Sequence, residues 1–285
     1  MRTRAVVGGY EVLALLDGVQ DLGSPGGMVD EFLSPSNEAW DAYRTIYPQL
    51  FGARGGWRLT VRASLIRDET HTIVFDTGVG PDTAPANEWF GAPGLLPQEL
   101  AAAEVALEDV ETVVISHVHD DHIGGTCNPD GQPAFPNARY LIHRADIDWI
   151  RAQAEISDED KAIWTLLLEP VVSNGQLVEV DDAFEVAPGI RTRHLPGHTP
   201  GHQGLELASG AESVFLTADS FNHPAQLDHA DWAGISDNDP DEATERRRVL
   251  LKELLDSGRL IAPSHLAEPF GRVVMDGDRV VWRPA

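Results

Sequence analysis

The chain has 285 residues, 46 of them acidic and 21 basic, for a formal net charge of −25. A surface this negative repels phosphate backbones and anionic headgroups, which argues against nucleic-acid and membrane partners. A lone cysteine, Cys127, excludes an internal disulfide framework, and no apolar run approaches the ~20 residues of a membrane span.

The first residues lack the charged, apolar and cleavage regions of a signal peptide, so a cytoplasmic setting is expected. In the first half, apolar stretches predict strands at 11–16, 58–67, 71–76, 112–116 and 139–143. Leu59, Val61, Ala63 and Leu65 show the two-residue alternation of a half-buried strand. A Gly- and Pro-rich segment rich in aromatic residues, 17–57, interrupts this series as an insertion that either caps a site or forms a surface loop.

The second half predicts strands at 177–180, 190–195, 204–208, 213–218, 260–263, 272–275 and 279–282, the last two forming a hairpin across Asp276-Gly277-Asp278. Helices are expected at 38–50, with Ala39, Tyr43, Ile46 and Leu50 on one face, and at 97–105, 144–154 and 158–168. The clearest spans 240–257, with Asp239 as N-cap, Glu242 completing a capping box, Gly258 as the stop and Val249, Leu250, Leu254 and Leu255 facing a core. No tandem repeat is visible. This pattern suggests one domain over 1–285, built from mixed sheets packed together with helices outside.

The chemistry concentrates in Ser116-His117-Val118-His119-Asp120-Asp121-His122, where three histidines and two aspartates follow the apolar run Thr112-Val113-Val114-Ile115. Neutral imidazole and carboxylate suit zinc and related divalent ions. Downstream, His198, Asp219 and His265 each stand at or near the end of an apolar strand. Five histidines and two aspartates suffice for two ions that share one carboxylate.

His117-x-His119-x-Asp121-His122, followed by His198, Asp219 and His265 in that order, resembles the ligand signature of the metallo-β-lactamase-fold hydrolases. The resemblance implies a four-layer αβ/βα sandwich, an α/β architecture of two mixed sheets flanked by helices. It also implies two divalent ions, expected to be zinc, with manganese, iron and cobalt as alternatives. The first would take His117, His119 and His198, the second Asp121, His122 and His265, and Asp219 would bridge them. Two ions ~3.5–4 Å apart can share a water and lower its pKa from near 15.7 to about 7, making a bridging hydroxide at neutral pH. Asp121 and Asp219 are then the catalytic carboxylates, Asp121 holding a proton for the leaving group.

Around these, Asp76 either orients a ligand histidine or caps turn amides, and His202 is expected as a hydrogen-bonded support. Cys127 is expected as a small buried filler, and His71, His143 and His194 as structural or surface histidines. The β-lactamases of this fold place arginine or cysteine where this chain has His122 and Asp219, which argues against antibiotic hydrolysis. Many N-acyl homoserine lactonases carry a tyrosine three residues after the bridging aspartate, where this chain has Asn222. The stretch from Phe221 to Gln226, with His229 and Trp232, resembles the branch of methyl parathion hydrolase and its esterase and lactonase relatives.

Phe221, Asn222, His223 and Trp232 are therefore the expected pocket wall, with a capping role as the alternative for His223 and a core role for Phe221 and Trp232. The expected function is hydrolysis of a lactone or carboxylic ester in a small neutral molecule. The alternatives are a phosphotriesterase and a mononuclear iron sulfur dioxygenase of the same fold. The expected partner is that small molecule, and a homodimer is compatible with the sequence.

Overall fold

The computed structural model describes residues 3–23 and 26–285. Two seven-stranded sheets dominate it, and each is assembled in chain order. The first contains β1 (Arg4–Val7), β2 (Tyr10–Asp21), β3 (Arg58–Arg67), β4 (Thr72–Phe75), β5 (Thr112–Val114), β6 (Arg139–His143) and β7 (Leu177–Val180). Its first four strands pair antiparallel, and β4 to β7 run parallel. The second contains β8 (Glu185–Ala187), β9 (Ile190–His194), β10 (Gln203–Ser209), β11 (Glu212–Ala218), β12 (Leu260–Pro263), β13 (Gly271–Asp276) and β14 (Arg279–Pro284). Only β11 and β12 pair parallel there.

Alternation along the strands divides the apolar residues among three cores. Val12, Ile66, Phe75 and Val114 of the first sheet meet Leu205, Leu207, Val214 and Leu216 of the second between the sheets. Leu15, Leu65, Val74 and Val113 point outward, under Leu100, Ile147, Ile150 and Leu167 of the covering helices. Phe215 and Ile261 of the second sheet pack outward on Leu250 and Leu254 of the helix Pro240–Ser257. With helices on both outer faces, the architecture is the expected α/β sandwich of two mixed sheets. Each fully buried aliphatic side chain contributes about 1.5–3 kcal/mol, so a charge at Val114 would cost the sandwich far more than one at an edge.

All twelve expected strands are present, most with ends shifted by a residue or two, and β2 runs on to Asp21. The expected insertion therefore leaves the sheet only after Asp21, and Asp17 belongs to a strand. The short strands β1 and β8 are additional. The expected helix at 38–50 is broken into a 3-10 turn Asn37–Trp40, a helix Asp41–Ile46 and a second turn Pro48–Leu50. Pro48 is the cause, because it disfavours helical backbone at Tyr47, which stands at φ −125° and ψ 55°. Ile46 is consequently 46% exposed, while Trp40 takes the buried place.

The expected helix at 158–168 passes at Ile163 into a π-helical turn, Trp164–Leu168. Pro170 lacks the N–H that the helix ladder needs there. Pro240–Ser257 matches in full length, with the Asp239 carboxylate accepting from Glu242 N at 3.0 Å and Gly258 left-handed at φ 58°. Glu242 does not return the bond, and its carboxylate instead lies 3.5 Å from Arg246. Val249 is 62% exposed, because Ala243, Arg247, Leu250, Leu251 and Leu254 form the inward face.

Candidate metal centre

The site lies where strand ends of both sheets converge. β5 feeds Ser116 to His119, and the helix Asp120–Ile123 turns Asp121 and His122 back over the strand ends. The turn fits closely against residues 76–80: a Cβ on Gly80 would stand 2.0 Å from Gly124 O, and one on Gly125 2.4 Å from Thr77 O. β9 leads to His198, β11 to Asp219 and β12 to His265. Ala218 holds φ 44° at a register shift between β11 and β12, and Asp76 holds φ 63°. Such left-handed backbone at non-glycine residues is costly and is held only where the surroundings over-determine it.

His117 Nε2 lies 3.1 Å from His119 Nδ1 and 3.1 Å from His198 Nε2. A second group joins His122 Nε2 to His265 Nε2 at 3.2 Å, with Asp121 Oδ2 3.6 Å from His122 and 3.7 Å from His265. Asp219 stands between the groups: Oδ2 is 3.4 Å from His198 Nε2 and 3.0 Å from His265 Nε2, and Oδ1 is 3.3 Å from His122 Nε2. All seven sequence-predicted ligand residues therefore converge. Tetrahedral zinc with nitrogens at ~2.0–2.1 Å separates those nitrogens by about 3.3 Å, which matches these spacings. Asp219 Oδ1 is also buried without a hydrogen-bond partner, so the donor set fits divalent ions that would satisfy it.

Electrostatics divides the groups. Burial, reinforced by neighbouring imidazoles, holds His117 and His119 well below the ordinary histidine pKa. Burial acts the same way on His122 and His265, but the nearby carboxylates, Asp219 foremost, outweigh it and raise both. Burial likewise opposes charge on Asp219, yet His265 and His122 hold it well below the usual carboxylate range.

Four of the ligands, His122, His265, Asp219 and His198, are braced from behind. Asp76 Oδ2 lies 2.8 Å from His122 Nδ1, while its Oδ1 accepts from Ser116 N at 2.7 Å, so both roles expected of Asp76 are present. His265 Nδ1 lies 2.7 Å from the Thr60 carbonyl of β3. The half-buried Arg62 guanidinium reinforces this by donating to Ala267 O at 2.6 Å and to Leu266 O. His202 supports rather than faces the groups, its Nε2 accepting from Asp219 N at 3.1 Å and its Nδ1 donating to Leu195 O at 2.9 Å. Such outer partners fix tautomer and ring orientation.

Three buried residues escape sequence reasoning. Asp237 Oδ1 lies 2.7 Å from His198 Nδ1, and its Oδ2 accepts from Arg247 at 2.6 Å. Arg247 also donates to Ser220 O at 2.9 Å, bracing the residue beside Asp219. Asp146 binds the backbone of both histidine-bearing loops. Asp237 is hidden in the polar run Ser236-Asp237-Asn238-Asp239, and Arg247 in Arg246-Arg247-Arg248. The spacing Ala243, Arg247, Leu250, Leu254 does place Arg247 on the apolar face, and that was the available signal.

A cavity of about 460 Å³ opens onto His119, Asp121, Asp219 and His265. Its walls include Leu22, Phe32, Trp57, Leu59, Trp89, Asp120, Asn222 and Ile235, and among the described residues they include no lysine or arginine. Of the four expected wall residues only Asn222 lines it, with Oδ1 buried and unpartnered. Phe221, His223 and Trp232 lie behind, buried in an aromatic core with Trp40, Tyr43 and Tyr47.

The chain turns inward there: Gln226 Oε1 accepts from Asn222 N at 2.7 Å, and His223 Nδ1 accepts from Ala225 N at 3.1 Å. His223 is thus the capping histidine of the alternative reading. Its ring lies 5.0 Å from that of Trp40, and burial pushes its pKa down to about 3. Cys127 is buried, and its thiol is pushed up to about 11 by burial, as expected of a filler. Among the described residues, no helix is long and apolar enough to cross a membrane.

Comparison with known proteins places this geometry. Residues 56–265 match the family model of the metallo-beta-lactamase superfamily. An N-acyl homoserine lactonase of Bacillus cereus is 27% identical over 212 residues, covering 68% of this chain and 78% of the relative. Hydrolase AbOPH of the beta lactamase superfamily superposes with a TM-score of 0.84 at 23% identity, covering 99% of this chain and 96% of that one. AidC, a dizinc quorum-quenching lactonase, superposes with a TM-score of 0.82 at 24% identity and the same coverage. The chain belongs to the metallo-beta-lactamase superfamily, among its metal-dependent hydrolases.

Proposed function

We propose that this hydrolase is dinuclear and opens a lactone or cleaves a carboxylic ester in a small neutral molecule. The supporting observation is Asp219, set between two histidine groups at the floor of a mostly apolar cavity whose described walls carry no lysine or arginine. His117, His119 and His198 would hold one ion, Asp121, His122 and His265 the other, and Asp219 both, with zinc the ion best suited to these donors. Two such ions supply Lewis acidity and lower the pKa of a water nucleophile to about 7.

The protein's own groups do the rest. Leu22, Phe32, Trp57, Leu59 and Ile235 take the apolar part of the substrate and exclude water, the segment after β2 serving as the cap. The Asn222 amide hydrogen-bonds the substrate carbonyl as negative charge builds on its oxygen. Asp121, at the cavity floor, holds the proton of the water and returns it to the departing alkoxide oxygen. Both sheets contribute ligands, so residues 1–285 work as one catalytic unit.

The test is a side-by-side panel on zinc-loaded protein, with metal content measured on the same sample. N-acyl homoserine lactones belong in it because curated relatives bear that name. Lactones or aryl esters should exceed phosphate monoesters and glutathione thioesters by at least about tenfold in kcat/KM, roughly 1.4 kcal/mol of transition-state preference. The reverse order would refute the substrate class. A phosphotriester turned over fastest would favour attack at phosphorus, which walls without lysine or arginine permit for an uncharged ester, and a single tightly held iron would favour oxygenation.

A further inference from the structure

We infer that Asp146 is a positioning residue that sets the spacing of the His117, His119 and His198 group, an inference that rests on the metal-binding reading above. Asp146 lies in the first turn of the helix Arg144–Gln153 and is fully buried. Its Oδ2 accepts from Val118 N at 3.2 Å and from Thr199 Oγ1 at 2.9 Å, and its Oδ1 accepts from Gly201 N at 2.6 Å. Val118 sits between His117 and His119, Thr199 follows His198, and Gly201 precedes His202. One carboxylate thus ties a loop of the first sheet to a loop of the second.

The three bonds come from two strand ends that share no sheet, and the His117 and His198 nitrogens face each other across that junction at 3.1 Å. The fit leaves little slack, since a Cβ on Gly201 would stand 2.5 Å from Asp146 N and 2.8 Å from its Cγ. A carboxylate can accept up to about four hydrogen bonds, whereas the carboxamide of Asn must turn a donor toward one of these positions. The His265 half of the site is braced elsewhere, by Thr60 O and Arg62. Loss of the clamp should therefore fall on one ion only.

The experiment compares zinc affinities of the parent chain, Asp146→Asn and Thr199→Val by chelator competition, with urea midpoints on the same samples. His198→Ala and His265→Ala serve as references for loss of each half-site. Asp146→Asn should bind one ion about 10–100-fold more weakly, in the pattern of His198→Ala, and leave the other within about threefold. Thr199→Val, which removes one bond without a change of shape, should weaken the same ion several-fold, and it carries the test if Asp146→Asn does not fold. Parent-like binding of both ions in the folded variants, or equal weakening of the two, would overturn the inference. A parent chain that takes up no zinc overturns the metal reading itself, and this inference with it.

Discussion

Asp237 offers the most exacting test of how the centre is supported. Its carboxylate joins His198 Nδ1 at 2.7 Å to Arg247 at 2.6 Å, and all three side chains are at most 3% exposed. Burial alone would raise its pKa, but His198 and Arg247 outweigh that and bring it from the ordinary 3.8 to about 2. At neutral pH Asp237 is therefore a buried anion, and Arg247 is its buried counter-ion. Asp237→Asn keeps the shape but strands the guanidinium, a change that costs about 3–5 kcal/mol when a buried pair loses one member. The pKa depression gives an independent figure of roughly 2–3 kcal/mol.

By linkage, that contribution is present above pH 3.8 and is lost as pH falls through about 2. Equilibrium urea denaturation with excess chelator isolates the effect from metal binding. Asp237→Asn should lose about 2–5 kcal/mol, and Asp237→Asn with Arg247→Met should lose less than the sum of the single changes by more than about 1 kcal/mol. Strict additivity, or a single-variant loss under about 1 kcal/mol, would refute the buried-pair reasoning.

Two further outcomes are expected. Asp219→Ala should lose metal stoichiometry along with turnover, whereas Asp121→Asn should lose activity by more than metal content, because the amide cannot take the proton; metal analysis beside kcat separates the two. His143 caps the helix Arg144–Gln153, its Nδ1 accepting from Ala145 N, and stacks on His194 at 4.1 Å. Burial, then His194, pushes its pKa from 6.5 down to about 4, so its stabilising contribution is present above pH 6.5 and is lost as pH falls through about 4. Urea midpoints of His143→Gln across that window should be flatter than the parent's, and a parallel curve would remove His143 as the cause.

The ligand residues were legible because strand and chemistry coincide in sequence: an apolar run ends, and a histidine or aspartate follows. Thr112–Val114 before His117 and Leu260–Pro263 before His265 carry both signals within a few residues. The substrate wall was not legible in that way. Proximity to Asp219 suggested Phe221, His223 and Trp232, but Gln226 turns the backbone at Asn222 and sends those rings into the core. The wall instead comes from Leu22, Phe32 and Trp57, far away in the chain and brought back by packing. Asp146, Asp237 and Arg247 were hidden for a related reason. A buried charge looks like a surface charge in sequence unless its position on an apolar helix face is counted, as it could have been for Arg247.

The distribution of supports explains how one arrangement of ligands can serve different substrates. Asp76 on the loop after β4, Thr60 and Arg62 on β3, Asp146 on one covering helix and Arg247 on another each brace a different ligand or loop. None of these five lines the cavity over the metal groups. The walls come mainly from the segment after β2 and from residues 219–236, and the bracing reaches the latter at Ser220 O, through Arg247, and at Gly234 N, through Asp237. A substitution at Leu22 or Ile235 can therefore reshape the cavity without moving a ligand histidine. One at Asp237 acts on His198 Nδ1 directly and reaches the cavity only through the backbone of Gly234. The supports behind the ligands and the apolar walls are largely different residues, and this lets ligand geometry be read from a motif while substrate choice must be read from the walls.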